Sequence, residues 1–384
     1  MIRWAVLTGE YPPEAGGVAD YTRLVARGLA DAGDAVHVYA PHRPAADPGI
    51  ETHGLPDHYG PRSLADLERE LTARPPHRIL VQYVPHAFGS KAMNLPFAAW
   101  LALRGRRIAP LWVMFHEVAF PFSWRPMKHA LLGSVTRIMA RLVAGAAERV
   151  FVTIPAWANL LKRFCPRVRP PQWLPVPCTL PPGRDPQARV TIRRHYAGRR
   201  AEGGGPPGGG LLVGHFGTYA PHIADLLAPA IDTLSRLVPE AGFLFVGRES
   251  DRFREGLLRR YPDLVGRVHA TGAVPADEVS DHLRACDLLL QPFADGVSSR
   301  RTSVMAGLAN GVPVVTNLGP LSEPLWSAGA VAVVPTADPQ ALARLAAGLL
   351  ADPPARSAFG RRGAELYHQT FSLEHTVARL RETK

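Results

Sequence analysis

Cysteine is scarce in this chain of 384 residues, and its three cysteines lie far apart, at Cys165, Cys178 and Cys286. They form no CxxC pair, and no histidine stands near them at the spacing of metal ligands. This pattern argues against a disulfide framework and against a zinc site, and it fits a reducing compartment. No Asp-rich metal motif is present in the sequence either, so we expect no bound metal and no cofactor.

Long hydrophobic runs are lacking as well. The apolar segment at residues 1–7 is too short for a signal peptide and leads directly into a turn. No run reaches the roughly 18 to 20 apolar residues that a membrane-spanning helix needs. We therefore expect a cytoplasmic protein.

Acidic residues are in deficit, because 33 Asp and Glu stand against 44 Lys and Arg and leave a net charge of +11. Such an excess points to an anionic partner, which could be a nucleic acid, an acidic membrane or a phosphorylated small molecule. The sequence lacks an aromatic platform or a recognition helix beside the charge, so we expect no nucleic-acid partner.

The order of apolar and polar segments predicts an α/β protein with two Rossmann-like, doubly wound domains. A strand at residues 2–7, a Gly-rich loop, a helix at 20–32 and a strand at 35–40 make the first βαβ unit. We predict a first domain at 1–183, a linker at 184–210 with a short helix and a GGGPPGGG tract, and a second domain at 211–366. A final helical segment follows at 367–384.

The Gly16-Gly17 pair follows the first predicted strand. Open α/β sheets bind ligands at the carboxyl ends of their strands, and glycine lets the backbone approach a ligand closely. The spacing is not GxGxxG, so the dinucleotide fingerprint is absent, and a plain turn explains the pair equally well.

The stretch 295–317, DGVSSRRTSVMAGLANGVPVVTN, combines a Gly-containing loop, a helix start and a strand. Arg300 and Arg301 precede the predicted helix together with three hydroxyl side chains, those of Ser298, Ser299 and Thr302. Guanidinium groups and the N–H groups at a helix start favour phosphate, so we predict an anion site. The alternative is a solvated arginine pair on an ordinary helix cap.

Three segments carry a resemblance to a known family: residues 11–41, the FHE sequence at 115–117 and GVPVVTN at 311–317. They resemble the GT-B glycosyltransferases, in particular the retaining family-4 (glycosyl transferases group 1) enzymes. The resemblance spans nearly the whole chain. It implies a first domain that binds the acceptor, a second domain that binds a nucleotide sugar, an interdomain cleft, and a last helix, here 367–384, that crosses back to the first domain.

The resemblance also implies roles for single residues. His116 would lie close to the transferred sugar, and the backbone of Gly272, Ala273 and Val274 would contact the base. The residues expected at the donor phosphates are Gly16, Gly17, Gly217, Thr218, Arg248, Ser298, Ser299 and Thr302. A buried structural histidine is the alternative for His116.

The sequence departs from the family pattern at four positions. Thr218 and His222 stand where the family usually carries an Arg and a Lys, and Ser298 and Ala306 stand where it carries two glutamates. We expect Arg300 and Arg301 to replace the lost cations. Asp295 is the candidate replacement for the sugar-contacting glutamate, although a gap-free register does not place it there.

The acceptor is expected to be a small molecule, a glycan or a lipid-linked molecule. Its candidate contacts are polar or aromatic residues of the first domain, namely Asp20, Tyr21, Tyr83, His86, Asn94 and Glu117. For the loop at 82–94 the alternative is a packed loop whose aromatic rings cover the core. The basic segment 124–149 could lie on an anionic membrane, but a solvated helix face is the favoured interpretation.

The expected reaction is sugar transfer with retention and without metal, by a monomer or a homodimer. Two alternatives stay open: a nucleotide-sugar epimerase on the same fold, and a catalytically degenerate binding protein, since the paired glutamates are missing.

Overall fold

A computed structural model of the protein describes residues 1–14, 16–41, 44–89, 93–122, 127–183, 185–197 and 209–382. The first residues of the basic segment, 124–126, and most of the GGGPPGGG tract lie outside the described residues. The chain divides into two compact units. Unit 1 comprises Met1–Pro177 and Leu373–Lys384, and unit 2 comprises Cys178–Ser372.

Unit 1 contains a seven-stranded sheet in which every strand pairing is parallel. Its strand order is β3-β2-β1-β4-β5-β6-β7. The strands are β1 (Arg3–Thr8), β2 (Ala35–Pro41), β3 (Ile50–Leu55), β4 (Arg78–Tyr83), β5 (Leu111–Phe115), β6 (Arg149–Val152) and β7 (Gln172–Trp173). The central strands β1, β4 and β5 are buried almost throughout, as expected of a parallel sheet covered on both faces.

The helices of unit 1 before its final segment are α1 (Gly17–Asp31), α2 (Pro61–Ala73), α3 (Leu95–Trp100), α4 (Arg106–Ile108), α5 (Met127–Ala146) and α6 (Pro155–Phe164). A π-helical turn, Leu101–Gly105, joins α3 to α4, and a short 3₁₀ helix spans Pro85–Ala87. In the described part of the chain, every helix is too short or too polar to cross a membrane.

Unit 2 contains a six-stranded parallel sheet of order β10-β9-β8-β11-β12-β13. The strands are β8 (Leu212–Phe216), β9 (Gly242–Val246), β10 (Val268–Ala270), β11 (Leu288–Gln291), β12 (Val314–Asn317) and β13 (Ala332–Val334). The helices are α7 (Pro186–Tyr196), α8 (Pro221–Leu237), α9 (Ser250–Arg260), α10 (Ala276–Ala285), α11 (Thr302–Ala309), α12 (Pro339–Ala351) and α13 (Pro353–Leu366). Two parallel sheets with alternating helices confirm the predicted fold class.

The final helix, α14 (Leu373–Arg381), packs on α1 within unit 1. Arg381 Nε lies 3.1 Å from a carboxylate oxygen of Asp34, and Arg78 donates to the carbonyl of Leu380 at 2.6 Å. A Cβ atom on Gly28 would come within 2.8 Å of Val377, so glycine lets the two helices approach closely. The preceding π-helical turn, Tyr367–Phe371, belongs to unit 2, so the segment predicted as one element at 367–384 is divided.

The linker predicted at 184–210 is also placed differently by the structure. Its described residues belong to unit 2, where α7 packs against α10. Arg193 of α7 pairs with Asp287 at 3.1 Å and donates to the carbonyl of Gly210 at 2.7 Å. These contacts make α7 part of the second unit, because its basic side chains find partners there.

Candidate functional site

Glycine backbones bring two loops together at the carboxyl edge of the second sheet. Gly217 follows β8 with a φ of 140°, and Gly247 follows β9 with a φ of 125°. A Cβ atom on Gly247 would lie 2.9 Å from the carbonyl oxygen of Gly217, so the two loops touch. A Cβ atom on Gly217 would lie 3.6 Å from Ser303, which connects this pair of loops to the start of α11. The loop after β8 therefore lies close to both the loop after β9 and the start of α11.

A cavity of about 210 Å³ opens at this edge. Its wall includes Gly217, Thr218, Arg300, Arg301, Thr302 and Ser303. Five of these residues are among those predicted to bind the donor or to act in catalysis. The structure thus brings together residues that lie more than eighty positions apart in the sequence. Gly217 and Thr218 belong to the loop after β8, and Arg300 and Arg301 belong to the loop after β11.

Asp295 holds both arginines of this wall. Arg300 contacts one carboxylate oxygen of Asp295 at 2.8 Å, and Arg301 contacts the other oxygen. The guanidinium of Arg301 also lies 4.5 Å from the ring centre of Phe293, which restricts its plane further. The two Arg side chains are 21% and 19% exposed, and the Asp295 side chain is 32% exposed. Two cations on one carboxylate leave a net positive charge of about one at the cavity.

The N-terminus of α11 adds to the positive character of the cavity. The carbonyl of Arg301 accepts from Val304 N at 3.0 Å and from Met305 N at 3.1 Å, so the helix begins directly at the cavity wall. The first turn carries no acidic residue, and the side chain of the N-cap residue, Arg301, makes no capping hydrogen bond. An uncapped helix start favours an anion. Guanidinium groups and a helix start therefore act on the same space.

His215 is a further polar residue of the cavity wall that the sequence analysis did not select. Its Nδ1 lies 2.8 Å from the carbonyl oxygen of Leu290, and its Nε2 has no hydrogen-bond partner among the described residues. Burial lowers the pKa of His215 to about 4, so the ring is neutral at physiological pH. The sequence signal was a histidine near the carboxyl end of an otherwise apolar strand. That position is where parallel strands present ligand contacts.

The serines before the arginine pair are buried. Ser298 and Ser299 each have 0% exposure, and Glu323 anchors their loop. Ser299 N donates to Glu323 at 3.1 Å, its hydroxyl contacts the same carboxylate, and Trp326 Nε1 donates to the other oxygen at 2.6 Å. The structure therefore argues against a direct phosphate contact by Ser298 or Ser299. Glu323, which the sequence analysis missed, holds the shape of the loop.

Residues 298 and 306, where the family usually carries glutamates, are both buried in this protein. Ala306 is fully buried in α11, and Ser298 is fully buried in the preceding loop. A carboxylate at either position would need a buried partner. Asp295, by contrast, is partly exposed and already shared by two guanidinium groups. Its structural contacts are those of a group that positions Arg300 and Arg301.

The remaining predicted donor residues of unit 2 lie at the same edge. Arg248 is exposed just after Gly247 and is not part of the cavity wall. The turn at Gly272 is tied to the start of α9, since Gly272 N donates to Ser250 Oγ at 2.9 Å. Gly272 is buried, Ala273 is exposed and Val274 is partly exposed, so the predicted base-binding stretch is accessible in part.

His116 lies directly after β5 in unit 1 and is 8% exposed. Its Nε2 is 2.9 Å from Gln82 Oε1, and its ring packs edge-on against Tyr21 with the ring centres 4.7 Å apart. Its backbone carbonyl accepts from Trp157 Nε1 at 2.9 Å. Burial lowers the pKa of His116 to about 3, so the imidazole is neutral near pH 7. The side chain is fixed in place and suited to hydrogen bonding.

Three loops meet around His86 in the same unit. His86 Nε2 lies 3.4 Å from Glu10, which follows β1, and His86 Nδ1 lies 3.9 Å from Glu117, which follows β5. The hydrogen bond to Glu10 raises the pKa of His86. A Cβ atom on Gly9 would lie only 2.1 Å from the carbonyl oxygen of Ala87, so the loops after β1 and β4 are in direct contact. The half-exposed imidazole and its two carboxylates form a polar group at the carboxyl edge of the first sheet.

Two predicted acceptor contacts are corrected by the structure. Tyr83 is fully buried, with its ring centre 4.9 Å from that of Phe115, so it belongs to the core. Asn94 is 6% exposed and caps α3, because its side chain accepts from Phe97 N at 2.9 Å and donates to the carbonyl of Tyr59 at 3.2 Å. Both side chains stabilise unit 1 from within. For Tyr83 and Asn94 the structure supports the alternative that these side chains are packed against the core.

The other first-unit residues of the prediction lie near the start of α1. Gly16 immediately precedes the helix, Gly17 is its first residue, and Asp20 is exposed in its first turn. A Cβ atom on Gly16 would come within 2.6 Å of Glu10, so the loop is tight there. Tyr21 is 1% exposed and reaches the site only through its packing on His116.

Two family models match the chain, one for each unit. The model described as Glycosyl transferase 4-like domain matches residues 16–179, and the model described as Glycosyl transferases group 1 matches residues 210–352. No curated protein matches the chain.

Solved structures match the whole chain at low sequence identity. Sucrose-phosphate synthase from Thermosynechococcus elongatus has a TM-score of 0.71 at 18% identity, and the match covers 98% of this chain and 97% of that one. HepE from Anabaena in complex with UDP-glucose has a TM-score of 0.67 at 16% identity, with 98% of each chain covered. The UDP-forming α,α-trehalose-phosphate synthase from Burkholderia vietnamiensis has a TM-score of 0.62 at 16% identity, with 99% and 98% covered. The two domain matches agree with this shared fold, and the chain is a GT-B glycosyltransferase of the hexosyltransferase type.

Proposed function

We propose that the protein transfers a sugar from a nucleoside diphosphate sugar to an acceptor hydroxyl, with retention of the anomeric configuration and without a metal ion. The observation that carries the proposal is the cavity of about 210 Å³ in unit 2, where Arg300 and Arg301 stand beside Gly217, Thr218 and the start of α11. No cofactor is part of the proposal, because the nucleotide sugar is itself a substrate.

The diphosphate gains negative charge as the glycosidic bond breaks. Fixed guanidinium groups and helix N–H groups stabilise such charge without reorganising, and they act most strongly where water is excluded. In this protein Asp295 and Phe293 fix the plane of the Arg301 guanidinium before any ligand binds. These contacts support the proposal that Arg300 and Arg301 take over the role of the Arg and Lys that the chain lacks at Thr218 and His222.

We propose that retention arises by front-face attack, in which the acceptor hydroxyl attacks the face from which the diphosphate leaves. In that geometry the departing diphosphate oxygen can take the proton of the acceptor hydroxyl, so a separate protein base is not needed. His116 fits this scheme because burial keeps its ring neutral, and a neutral imidazole can hydrogen-bond a sugar hydroxyl without exchanging a proton. His86, Glu10 and Glu117 are the first-unit residues that we propose to contact the acceptor.

UDP-glucose is the donor that we propose to test first. HepE, which shares the fold over 98% of this chain, was solved with UDP-glucose bound. The backbone of Gly272, Ala273 and Val274 is proposed to contact the base. The acceptor is proposed to be a small molecule, a glycan or a lipid-linked molecule.

The test is a product assay with purified protein and a panel of UDP, GDP, ADP and TDP sugars, with and without a panel of acceptor alcohols. We expect a glycoside whose anomeric configuration, read from its NMR coupling constant, equals that of the donor. The rate should be unchanged by EDTA. Product of opposite configuration, or a rate that EDTA abolishes, would contradict retention or metal independence respectively.

The same assay separates transfer from epimerisation. An epimerase would convert the donor without any acceptor, whereas the proposed transferase forms glycoside only when an acceptor is present. Conversion of the donor in the acceptor-free reaction, with no glycoside in the complete reaction, would replace the transfer proposal by the epimerase one.

Helix α5 supports a second, weaker element of the proposal, a peripheral membrane contact. Met127, Leu131 and Ile138 are 84%, 59% and 50% exposed, and they recur at helical spacing on one face. Lys128 and Arg141 are exposed on the same helix. Sedimentation with vesicles that contain anionic lipid should bring down the protein, and Leu131→Glu should reduce this binding. Equal sedimentation of the variant would assign α5 to the solvated-face alternative.

A further inference from the structure

An unassigned cluster of metal-ligand side chains lies on the edge of the first sheet. His37 of β2 and Glu51 and His53 of β3 each offer one ligand atom, and these atoms all lie within 4.8 Å of one another. The cluster sits within the strands, and none of its members was predicted as a site residue. It is therefore separate from the residues proposed for sugar transfer.

Sheet geometry accounts for the convergence of the three side chains. Glu51 and His53 are two positions apart on β3, so both point to the same face of the sheet. In the parallel register His37 lies opposite Glu51, and Tyr39 lies opposite His53. His37 thus points to the same face as Glu51 and lies directly across from it on the neighbouring strand. The backbone places the three ligands without any contribution from a flexible loop.

The distances between ligand atoms suit a tetrahedral metal ion. His37 Nδ1 lies 3.3 Å from His53 Nε2 and 3.3 Å from Glu51 Oε2. Metal–ligand bonds of about 2.0 to 2.1 Å at a tetrahedral angle separate two ligand atoms by about 3.3 to 3.4 Å. Two of the three distances between the ligand atoms are therefore close to the distances that zinc would impose, and all three lie within 4.8 Å.

The surroundings of His53 match those of a metal-bound histidine. Its second ring nitrogen, Nδ1, lies 3.1 Å from a carboxylate oxygen of Glu70 on α2. A carboxylate on the distal nitrogen fixes the tautomer, so that Nε2 keeps its lone pair for a metal. Tyr39 stacks on His53 with the ring centres 4.5 Å apart and the planes 13° apart, which fixes the ring orientation.

Without a metal, one proton on His37 Nδ1 can form hydrogen bonds to both neighbouring ligand atoms. His53 Nε2 and Glu51 Oε2 both face that nitrogen as acceptors, so the N–H would be shared between them. We propose that His37, Glu51 and His53 bind a divalent transition-metal ion, Zn²⁺ above all, in the position of that shared proton. Two imidazoles and one carboxylate are a ligand set that suits Zn²⁺ and does not suit Mg²⁺ or Ca²⁺.

The Glu51 side chain is 66% exposed, so an ion in solution can reach the cluster. The ion would join the edge strand β3 to β2 and, through Glu70, to α2. Binding should therefore raise the thermal stability of unit 1, and this site would be independent of the metal-free chemistry proposed for unit 2.

The test is calorimetric titration of tag-free, chelator-treated protein with Zn²⁺, together with thermal unfolding with and without the ion. We expect saturable binding at one such site and a higher Tm with Zn²⁺, with no shift from Mg²⁺. Glu51→Gln should weaken Zn²⁺ binding by at least about tenfold, and Glu70→Gln by about tenfold. His53→Ala should abolish this site.

Glu51→Gln keeps the proposal testable, because a substitution at this exposed position does not remove core packing. His129→Ala is the matched control, since His129 is an exposed histidine on α5. It should leave the affinity and the Tm shift unchanged. Absence of saturable binding, or binding with the same affinity in wild type, Glu51→Gln and His53→Ala, would overturn the proposal.

Discussion

Asp47 in unit 1 and Asp295 in unit 2 each hold two arginines, and the two Asp–Arg–Arg triads differ in which partner is buried. In unit 1, Asp47 has a fully buried side chain, while Arg23 and Arg27 on α1 are 34% and 46% exposed. In unit 2 the aspartate is the more exposed partner, and Arg300 and Arg301 are about one-fifth exposed at a cavity wall.

This difference in burial indicates that the two Asp–Arg–Arg triads have different roles. Asp47 accepts from Arg23 at 2.7 Å, from Arg27 and from the hydroxyl of Tyr11 at 2.8 Å, so the arginines fasten a loop to α1. The carboxylate of Asp295 contacts Arg300 and Arg301, and both arginines line the cavity of about 210 Å³, which can take an anion. We interpret the first triad as structural and propose that the second is a preorganised binding site.

The largest expected effect follows removal of a guanidinium in unit 2. Arg300→Ala and Arg301→Ala should each lower turnover about 10²- to 10³-fold, because each removes a fixed donor aimed at the leaving diphosphate. The measurement is the rate of glycoside formation at saturating acceptor. Arg27→Ala is the matched control and should keep near-normal turnover; equal losses in the control and in the cavity variants would erase the distinction between the triads.

The next effect concerns stability in unit 1. Asp47→Asn should lower the free energy of unfolding by about 1 to 3 kcal/mol, since it weakens hydrogen bonds to charged groups at a buried site. Burial alone would raise the pKa of Asp47, but hydrogen bonds from Arg23, Tyr11 and Arg27 hold it below its ordinary value. A lowered pKa stabilises the fold above the unfolded value of about 4, and this contribution is lost as the pH falls through the folded pKa.

Denaturant unfolding at several pH values checks this prediction. The difference between wild type and Asp47→Asn should be full near pH 7 and should shrink at acid pH. A difference that stays constant down to the acid range would show that the charge of Asp47 does not stabilise the loop.

A smaller effect is expected at His116. His116→Asn should lower turnover about tenfold, which corresponds to the loss of one neutral hydrogen bond to the substrate. Because burial holds the pKa of His116 at about 3, its protonation should not produce an acid limb near pH 6.5 in the pH dependence of kcat. The rate of both proteins should be followed from pH 5 to 8, with thermal unfolding as the check on the fold. A limb near pH 6.5 that disappears in His116→Asn would contradict a neutral imidazole.

The smallest effect is expected at Asp295. Asp295→Asn leaves both guanidinium groups in place and removes only the group that orients them, so donor KM should rise by less than about tenfold with little change in kcat. A fall in kcat as large as that of Arg301→Ala would instead make Asp295 a sugar contact, as the sequence had suggested.

Much of the fold could be predicted from the sequence. Strands β1, β4 and β5 are continuous apolar runs, and α8 and α10 show clear helical periodicity, so both parallel sheets were recognisable. β3 was missed because Glu51, Thr52 and His53 give an edge strand a polar sequence. The Pro- and Gly-rich composition of residues 184–210 predicted a linker, whereas in the structure α7 packs against α10 within unit 2.

The candidate site was predictable in part. Arg300 and Arg301 were recognisable because guanidinium groups before a helix start favour phosphate, whereas Gly217 and Thr218 were implied by the family resemblance. The burial of Tyr83 and Asn94 and the anchoring role of Glu323 depend on contacts between distant segments. Sequence pattern does not encode such contacts, so only the structure could assign these residues.

The most direct test of the central claim is calorimetric titration of UDP into wild-type protein, the double variant Arg300→Ala/Arg301→Ala and the control Arg23→Ala. We predict stoichiometric binding to wild type and to the control, and a loss of affinity of at least about 100-fold in the double variant, as expected when charge-assisted hydrogen bonds to phosphate are removed. Unchanged UDP affinity in the double variant would contradict the assignment of the unit 2 cavity as the donor diphosphate site.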